Sequence, residues 1–452
     1  MRATNSLCKT GCLNEDGRGS VAMQRDSLVI PPSRGTRFAL WRVFYAKRDM
    51  TTSFWKTGHT PTLFAAFLYF DLSFMVWVIL GPLGIHIAND LDLNAAQKGM
   101  MVATPILAGA FLRIVMGVLV DHIKPKRAGA IGQAIVIAGL AWAWFAGVHT
   151  YEQVLALGAI LGVAGASFAV ALPLASRWYP PEHQGTALGI AGAGNSGTVL
   201  AALFAPTLAA WYGWNNVFGL ALLPLTIVWV IYLLLARDAP DCPPAKPLSA
   251  YLDVLRDRDA WWFMVFYAVT FGGFVGLASS LTIYFNDEYG LSAVAAGFFT
   301  AAAVFAGSFV RPLGGFIADR IGGIRTLTLM YFSAALWLVL ASFPMPHAGI
   351  ALTLFMLAML SLGVGNGAVF QLVPQRFRKE IGVMTGLVGM AGGIGGFYLA
   401  SSLGYSKQLT GTYQPGLLIF AALALAAVSG LTVVKGRWRT TWGAAHLMRA
   451  KI

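Results

Sequence analysis

From Pro61 to Val434 the chain is a succession of long apolar runs separated by short polar breaks. A hydrocarbon core about 30 Å thick needs about 20 apolar residues in helical form. Runs of that size lie near residues 61–86, 98–120, 128–148, 153–176, 186–211 and 215–236, then 261–285, 292–318, 326–344, 349–374, 382–404 and 415–434. The pattern predicts an all-α membrane protein with twelve transmembrane helices. Between the sixth and seventh runs lies Arg237-Asp-Ala-Pro-Asp-Cys-Pro-Pro-Ala-Lys246, whose prolines and charges mark a linker. The expected organisation is a basic cytoplasmic tail over 1–55, a six-helix bundle over 56–237, a cytoplasmic linker over 238–258, a second six-helix bundle over 259–434 and a short cytoplasmic tail over 435–452.

Composition agrees. The chain is 57% hydrophobic and 11% charged, with mean hydropathy +0.67, whereas soluble domains carry roughly 25% charged residues. Its 32 Lys and Arg against 19 Asp and Glu leave a net +13, which in a soluble chain would suggest nucleic acid. Here the cations sit in the even-numbered loops, at Lys124, Lys126, Arg127, Arg177, Arg237, Lys246, Arg256, Arg258, Arg320, Arg325, Arg376, Arg378 and Lys379, while the odd-numbered loops hold little beyond Lys98 and Lys407. Basic loops stay cytoplasmic, so the charge is topological, no nucleic-acid partner is expected, and both termini are expected in the cytoplasm of a cell with this protein in its inner membrane. Cys8, Cys12 and Cys242 make neither a disulfide framework nor a zinc set. Residues 1–49 carry nine Lys and Arg, four Asp and Glu and no signal-peptide core. They read as a disordered extension, with Met50 as an alternative start.

The two halves repeat. Arg113-x-x-x-Gly117-x-x-x-Asp121 recurs as Arg311-x-x-x-Gly315-x-x-x-Asp319, an offset of 198, and Arg177 and Thr186 recur as Arg376 and Thr385, an offset of 199. Internal duplication of this kind marks repeat-built transporters, whose substrate site lies near mid-membrane between the repeats. Few ionisable residues fall within the apolar runs, and Asp71, Arg113 and Arg311 stand out. Each arginine lies eight residues, about 12 Å, from the aspartate at its span's end. A membrane-centre arginine costs about 2.5–3.5 kcal/mol, so two at matching depth call for a partner. Asp71 is the one acid expected nearby, which leaves one positive charge for a monovalent anion to neutralise. A planar guanidinium suits a flat oxyanion because it offers paired N–H donors.

Gly117-Val-Leu-Val-Asp121-His-Ile-Lys-Pro-Lys126-Arg127 and Gly315-Phe-Ile-Ala-Asp319-Arg320-Ile-Gly322-Gly323-Ile-Arg325 resemble the cytoplasmic loop motif of the major facilitator superfamily. The first copy departs from it with His122 in place of a basic residue and Lys124 in place of glycine. The resemblance implies the major facilitator fold, two six-helix halves related by a pseudo-two-fold axis, and it assigns Asp121, Arg127, Asp319 and Arg320 to gating. Gly192-Ala-Gly194-Asn195-Ser-Gly197 and Gly389-Met-Ala-Gly392-Gly393-Ile-Gly395-Gly396 further resemble the paired glycine signatures of its nitrate/nitrite porter family. So do Phe74-Met-Val-Trp77, Phe168, Tyr267-Ala-Val-Thr-Phe271 and Gly365-Asn-Gly-Ala-Val-Phe370. Carried over, the resemblance makes Arg113 and Arg311 the anion clamps, with Asn195 and Tyr267 as polar contacts. It makes Phe74, Phe168, Phe271 and Phe370 the walls of the site.

The implied function is secondary active transport of nitrate, and of nitrite, by alternating access, as nitrate/proton symport or nitrate/nitrite antiport. Asp71, as a helix-packing carboxylate or a proton carrier, tilts the coupling toward symport. The rivals are a carrier of another small anion, a membrane enzyme and a transport-inactive nitrate sensor. No histidine- or cysteine-rich cluster and no nucleophile-base set stands in the runs, so no metal, cofactor or enzymatic activity is expected, and the partners are the anions, protons and the lipid bilayer around a monomer. Gly192-Ala-Gly194-Asn-Ser-Gly197 is also a literal G-x-G-x-x-G, but a dinucleotide cradle needs a strand before it. Within a membrane helix it belongs to a small-residue ridge, Gly185, Gly189, Ala193, Gly197, Ala201 and Ala205, answered in the eleventh span by Gly392, Gly396, Ala400 and Gly404.

Overall fold

Twelve helices among the described residues are long and apolar enough to cross a membrane. They are Thr60–Trp77, Ala95–Ile123, Pro125–Ala146, Tyr151–Ser176, Thr186–Tyr212, Trp214–Leu235, Arg258–Tyr289, Ala293–Ile321, Gly323–Ser342, Ala348–Arg376, Ile381–Thr410 and Gln414–Trp438, the first to twelfth spans below. The computed structural model describes residues 54–240, 249–377 and 380–441, with no strand among them, and all fall within one compact unit, Ser53–Ile452. The N-terminal tail to residue 53 with Met50, the three cysteines, Lys246, Arg378, Lys379 and the tail beyond residue 441 lie outside the described residues. The expected linker holds a short helix, Ser249–Leu255, and the seventh span begins at Arg258.

The helix ends follow from local chemistry. Asn94 with Gln97 and Thr150 with Gln153 form capping boxes at the starts of the second and fourth spans. Ser292 caps the eighth through the Ala295 N–H. His59 and Asp257, 198 residues apart, each cap their span through the side chain, at the starts of the first and seventh. The turn from the second span to the third passes through Lys124 at φ 72° and ψ 153°, and that from the eighth to the ninth through Gly322 at φ 100° and ψ 139°. The loop motif places glycine here because this backbone is close to glycine-only; Lys124 adopts it with a side chain attached.

Several spans are broken. The first, expected to run to residue 86, ends at Trp77, and tight turns through Gly81 and Pro82 lead to a separate helix, Gly84–Asp90. The fourth is interrupted between Gly165 and Phe168. The fifth passes through a 3₁₀ turn, Ala193–Ser196. The eighth breaks at Val310, two residues before Pro312, whose ring opposes the carbonyl four residues earlier. The last three breaks lie beside Phe168, Asn195 and Arg311, all residues expected at the site.

The halves meet along two seams, the second span on the eleventh and the fifth on the eighth. Gly99 and Gly404 cross with backbone against backbone: a Cβ on either would lie within 2.8 Å of the other's Cα. A Cβ on Gly297 would come 2.6 Å from the Ala202 carbonyl oxygen. At this end Lys98 pairs with Asp287 at 3.1 Å, joining the second span to the seventh. The Ala95 N–H donates to Gln408 Oε1 at 3.1 Å, and Tyr413 donates to Asp287 at 2.7 Å. Past the central breaks the second seam opens. Arg311–Ile321 packs on the ninth and tenth spans, and Pro181–Gly192 packs on the first and fourth. The bundle is therefore sealed at its Lys98 end and parted at its Asp121 end.

Candidate functional site

Arg113 and Arg311 enter one aromatic chamber from opposite halves. Arg113 is 1% exposed. Its Nε donates to the Gly165 carbonyl at 3.1 Å, and its Nη1 donates to the Gly389 carbonyl. The break after Gly165 and the absent side chain at Gly389 place those carbonyls; a Cβ at Gly389 would lie 3.3 Å from Arg113 Cδ. Arg311 Nη2 donates to the Tyr267 hydroxyl at 3.2 Å. Each guanidinium retains a buried nitrogen with no partner, Nη2 of Arg113 and Nη1 of Arg311. Such groups are rare in folded proteins because each is costly to desolvate.

The rings bind the pair together. Phe168 lies 5.7 Å from the Arg113 guanidinium carbon and 5.8 Å from that of Arg311, so one side chain bridges both cations. Arg113 also lies over Phe271 at 4.9 Å, and Arg311 over Phe370 at 5.6 Å. Tyr267 stacks on Phe271 at 5.1 Å and meets Phe370 edge-on at 5.1 Å. A ring face attracts a cation, more strongly when both are desolvated. Phe74 stands one ring back, packed on Phe70 and Trp77. Trp77 takes its place against Arg113, at 5.2 Å, and is held by a 2.7 Å bond from its Nε1 to the Pro105 carbonyl.

Asn195, in the 3₁₀ turn, is 2% exposed, with its Oδ1 unpartnered. Asp71 departs from its expected place. It forms no ion pair with either arginine; Ser196 Oγ donates to its Oδ1 at 2.6 Å, which pins the first span to the turn in the fifth. Among the described residues neither arginine has a carboxylate within 4 Å, so the chamber carries two positive charges where the sequence reading counted one. The glycine signatures divide in the same way. Gly194 and Gly197 admit the first span, a Cβ on Gly197 falling 1.8 Å from the Asp71 carbonyl oxygen, whereas Gly192 and Gly189 have nothing within 4 Å. In the eleventh span Gly392 lies against Tyr267 and Phe271, Gly393 against the second span, Gly396 against Val275 of the seventh and Ile106 of the second, and Gly395 against the Ala268 carbonyl.

At the parted end Asp121 pairs with Arg177 at 3.3 Å. Asp319, its repeat, instead accepts from Gln371 Nε2 at 3.0 Å. Arg376, the repeat of Arg177, pairs with Asp257 and Asp259. The offset of 198 carries those two acids onto His59 and Pro61, so the first half has no such acids to draw Arg177 away. Arg320 lies over the Phe316 ring at 4.1 Å, and Arg127 forms no ion pair among the described residues. Sequence reasoning missed Trp77, the Gly165 and Gly389 carbonyls, and the Lys98–Asp287 pair. The last had a signal: two lysines, Lys98 and Lys407, in loops otherwise short of basic residues, with Asp287 and Glu288 on the same side, and Lys407 pairs with Glu288 at 2.6 Å.

A duplicated bundle of twelve spans, sealed at one end, parted at the other and centred on buried charge, has the architecture of a membrane carrier. The sequence profile of the Major Facilitator Superfamily matches residues 62–400, and the chain belongs to that superfamily. It is 35% identical to the probable nitrate/nitrite transporter NarK2 of Mycobacterium tuberculosis (strain ATCC 25618 / H37Rv), over 82% of this chain and 95% of that protein. It is 30% identical to the nitrite extrusion protein of Bacillus subtilis (strain 168), over 78% of this chain and 89% of that one. A crystal structure of a bacterial homologue of the human lysosomal transporter Spinster shares the fold at TM-score 0.66 and 17% identity, covering 86% of this chain and all of the other.

Proposed function

We propose that this chain is a secondary transporter that carries nitrate and nitrite across the inner membrane, exchanging one anion for the other between Arg113 and Arg311. The carrying observation is the pair of buried guanidiniums that share the Phe168 ring, each with a nitrogen left to donate. A small planar oxyanion meets both donors with its oxygens while the rings cover its faces. Large, tetrahedral or strongly hydrated anions fit this lining less well, and the names of the relatives point to the same substrates. On the rule that basic loops stay cytoplasmic, we read the Asp121 end as the cytoplasmic one and this conformation as open inward.

Exchange follows from charge. With no carboxylate within 4 Å of either arginine among the described residues, closing the chamber without an anion would bring two cations together in a medium of low dielectric, where their repulsion is strong. The anion screens that repulsion, so the loaded carrier reorients and the anion-free carrier is held back. Proton symport is the second reading, favoured by the burial of Asp71 at 6% exposure. Purified protein in nitrite-loaded vesicles tests both. Nitrate uptake that needs internal nitrite and ignores a proton gradient is expected. Uptake into anion-free vesicles driven by a proton gradient, and lost in Asp71→Asn, would establish symport. Absence of any nitrate or nitrite flux would overturn the function.

A further inference from the structure

The tenth span carries Asn366, which the arginine site has not so far drawn in. Asn366 is 1% exposed, and its Oδ1 is buried without a partner. Its neighbours fix its depth. A Cβ on Gly365 would lie 2.6 Å from Thr270 Cγ2, beside Phe271, and one on Gly367 would lie 2.3 Å from the Arg311 carbonyl oxygen. Asn366 is thus bracketed by the seventh span between Tyr267 and Phe271 and by the eighth at Arg311. Four residues on, and so on the same helix face, Phe370 meets Tyr267 and the Arg311 guanidinium. That guanidinium holds a buried donor in need of an acceptor, Nη1, and Asn366 Oδ1 is a buried acceptor in need of a donor.

We infer that in the anion-loaded chamber Asn366 is a further substrate-contacting residue: its Oδ1, unbonded in the present structure, accepts one of the two N–H groups of Arg311 Nη1, which keeps the other for the anion, and its Nδ2 donates to an oxygen of the bound oxyanion. A carboxamide joins the two because it carries an acceptor and a donor on one rigid plane. A hydroxyl or an amine in this place would not span them with the same geometry. The inference rests on the anion-exchange reading and sharpens it. The two guanidiniums can engage both oxygens of nitrite but leave the third oxygen of nitrate, so an added donor has an open acceptor on nitrate that nitrite lacks. Asn366 therefore sets part of the preference between the two substrates.

The test uses the full-length protein in vesicles, with exchange measured separately for nitrate and nitrite. Asn366→Leu keeps the size and removes both polar groups. It should raise the KM for nitrate about tenfold or more, the loss expected of one hydrogen bond to a charged group, and raise that for nitrite less, with the maximal rate retained. Asn366→Asp keeps the shape but turns a carboxylate toward the anion, and should abolish exchange of both. A folded Asn366→Leu protein with the wild-type KM for nitrate, or with both KM values shifted equally, would overturn the inference. Should Asn366→Leu fail to fold, wild-type exchange by Asn366→Asp would overturn it. Wild-type flux with unchanged variants would sink only this inference, whereas wild-type protein that moves neither anion would sink the exchange reading and this one with it.

Discussion

At the scale of single residues, the arginines were conspicuous because ionisable groups are expensive in a membrane and these two repeat. What holds them was hidden. Arg113 is anchored by two backbone carbonyls, at Gly165 and Gly389, and a carbonyl has the same chemistry at every position of a sequence. Lysine keeps the charge but loses the planar fork. Arg113→Lys and Arg311→Lys should each lower kcat/KM for nitrate exchange by about tenfold to a hundredfold, measured in vesicles; wild-type values in both would exclude the clamp. Asn195 and Ser196 are adjacent yet separable. Ser196 is committed to Asp71, while the Asn195 carboxamide has an unpartnered oxygen. Asn195→Ala should therefore weaken nitrate exchange more than Ser196→Ala, and the reverse order would count against Asn195 as an anion contact.

At the scale of elements, the twelve runs were legible because hydrocarbon demands length and apolarity, which composition alone records. The breaks were less so. Pro82 and Pro312 signal two of them, but the turn at Ala193–Ser196 and the gap after Gly165 form without a proline at the break. The loop motif gives the clearest case of a residue at odds with its element. Lys124 holds a backbone that its repeat assigns to Gly322, a strain of about 1–3 kcal/mol for a residue with a Cβ. Lys124→Gly should relieve part of it, offset by the greater chain entropy of glycine. A rise in the thermal midpoint of the purified protein is expected, and Gly322→Lys should lower it. Equal midpoints for wild type and Lys124→Gly would show that no strain is held there.

At the scale of the whole molecule, the two seams decide which end is open. The sealed end joins the halves through the Gly99–Gly404 crossing and the Lys98–Asp287 pair, whose side chains are 22% and 14% exposed. A partly exposed pair contributes about 1 kcal/mol at most, enough to shift a two-state population about fivefold. Asp287→Asn should accordingly shift the carrier toward the state open at the Lys98 end, seen as faster labelling of a cysteine placed at Ser279 and a longer distance between spin labels on the second and seventh spans. Unchanged labelling and distance would show that the small-residue crossing and the Ala95–Gln408 bond keep that end shut without the ion pair. Lys98→Asp combined with Asp287→Lys should restore the wild-type balance.

The sequence by itself determined the spans, their duplication, the repeated loop motif and the two buried arginines with most of the aromatic residues found around them. Each of these depends on residue type and spacing, and burial in hydrocarbon penalises the alternatives strongly enough to leave a one-dimensional trace. Only the tertiary structure decided that Asp71 bonds to Ser196 and to neither arginine, that Arg177 and Arg376 take different partners, that Trp77 stands before Phe74, and that Asn366 lies level with Arg311. Those outcomes turn on directions and on distances of a few ångströms between residues that are far apart in the chain. A carboxylate beside a serine and a carboxylate beside an arginine are the same letter until the helices have packed.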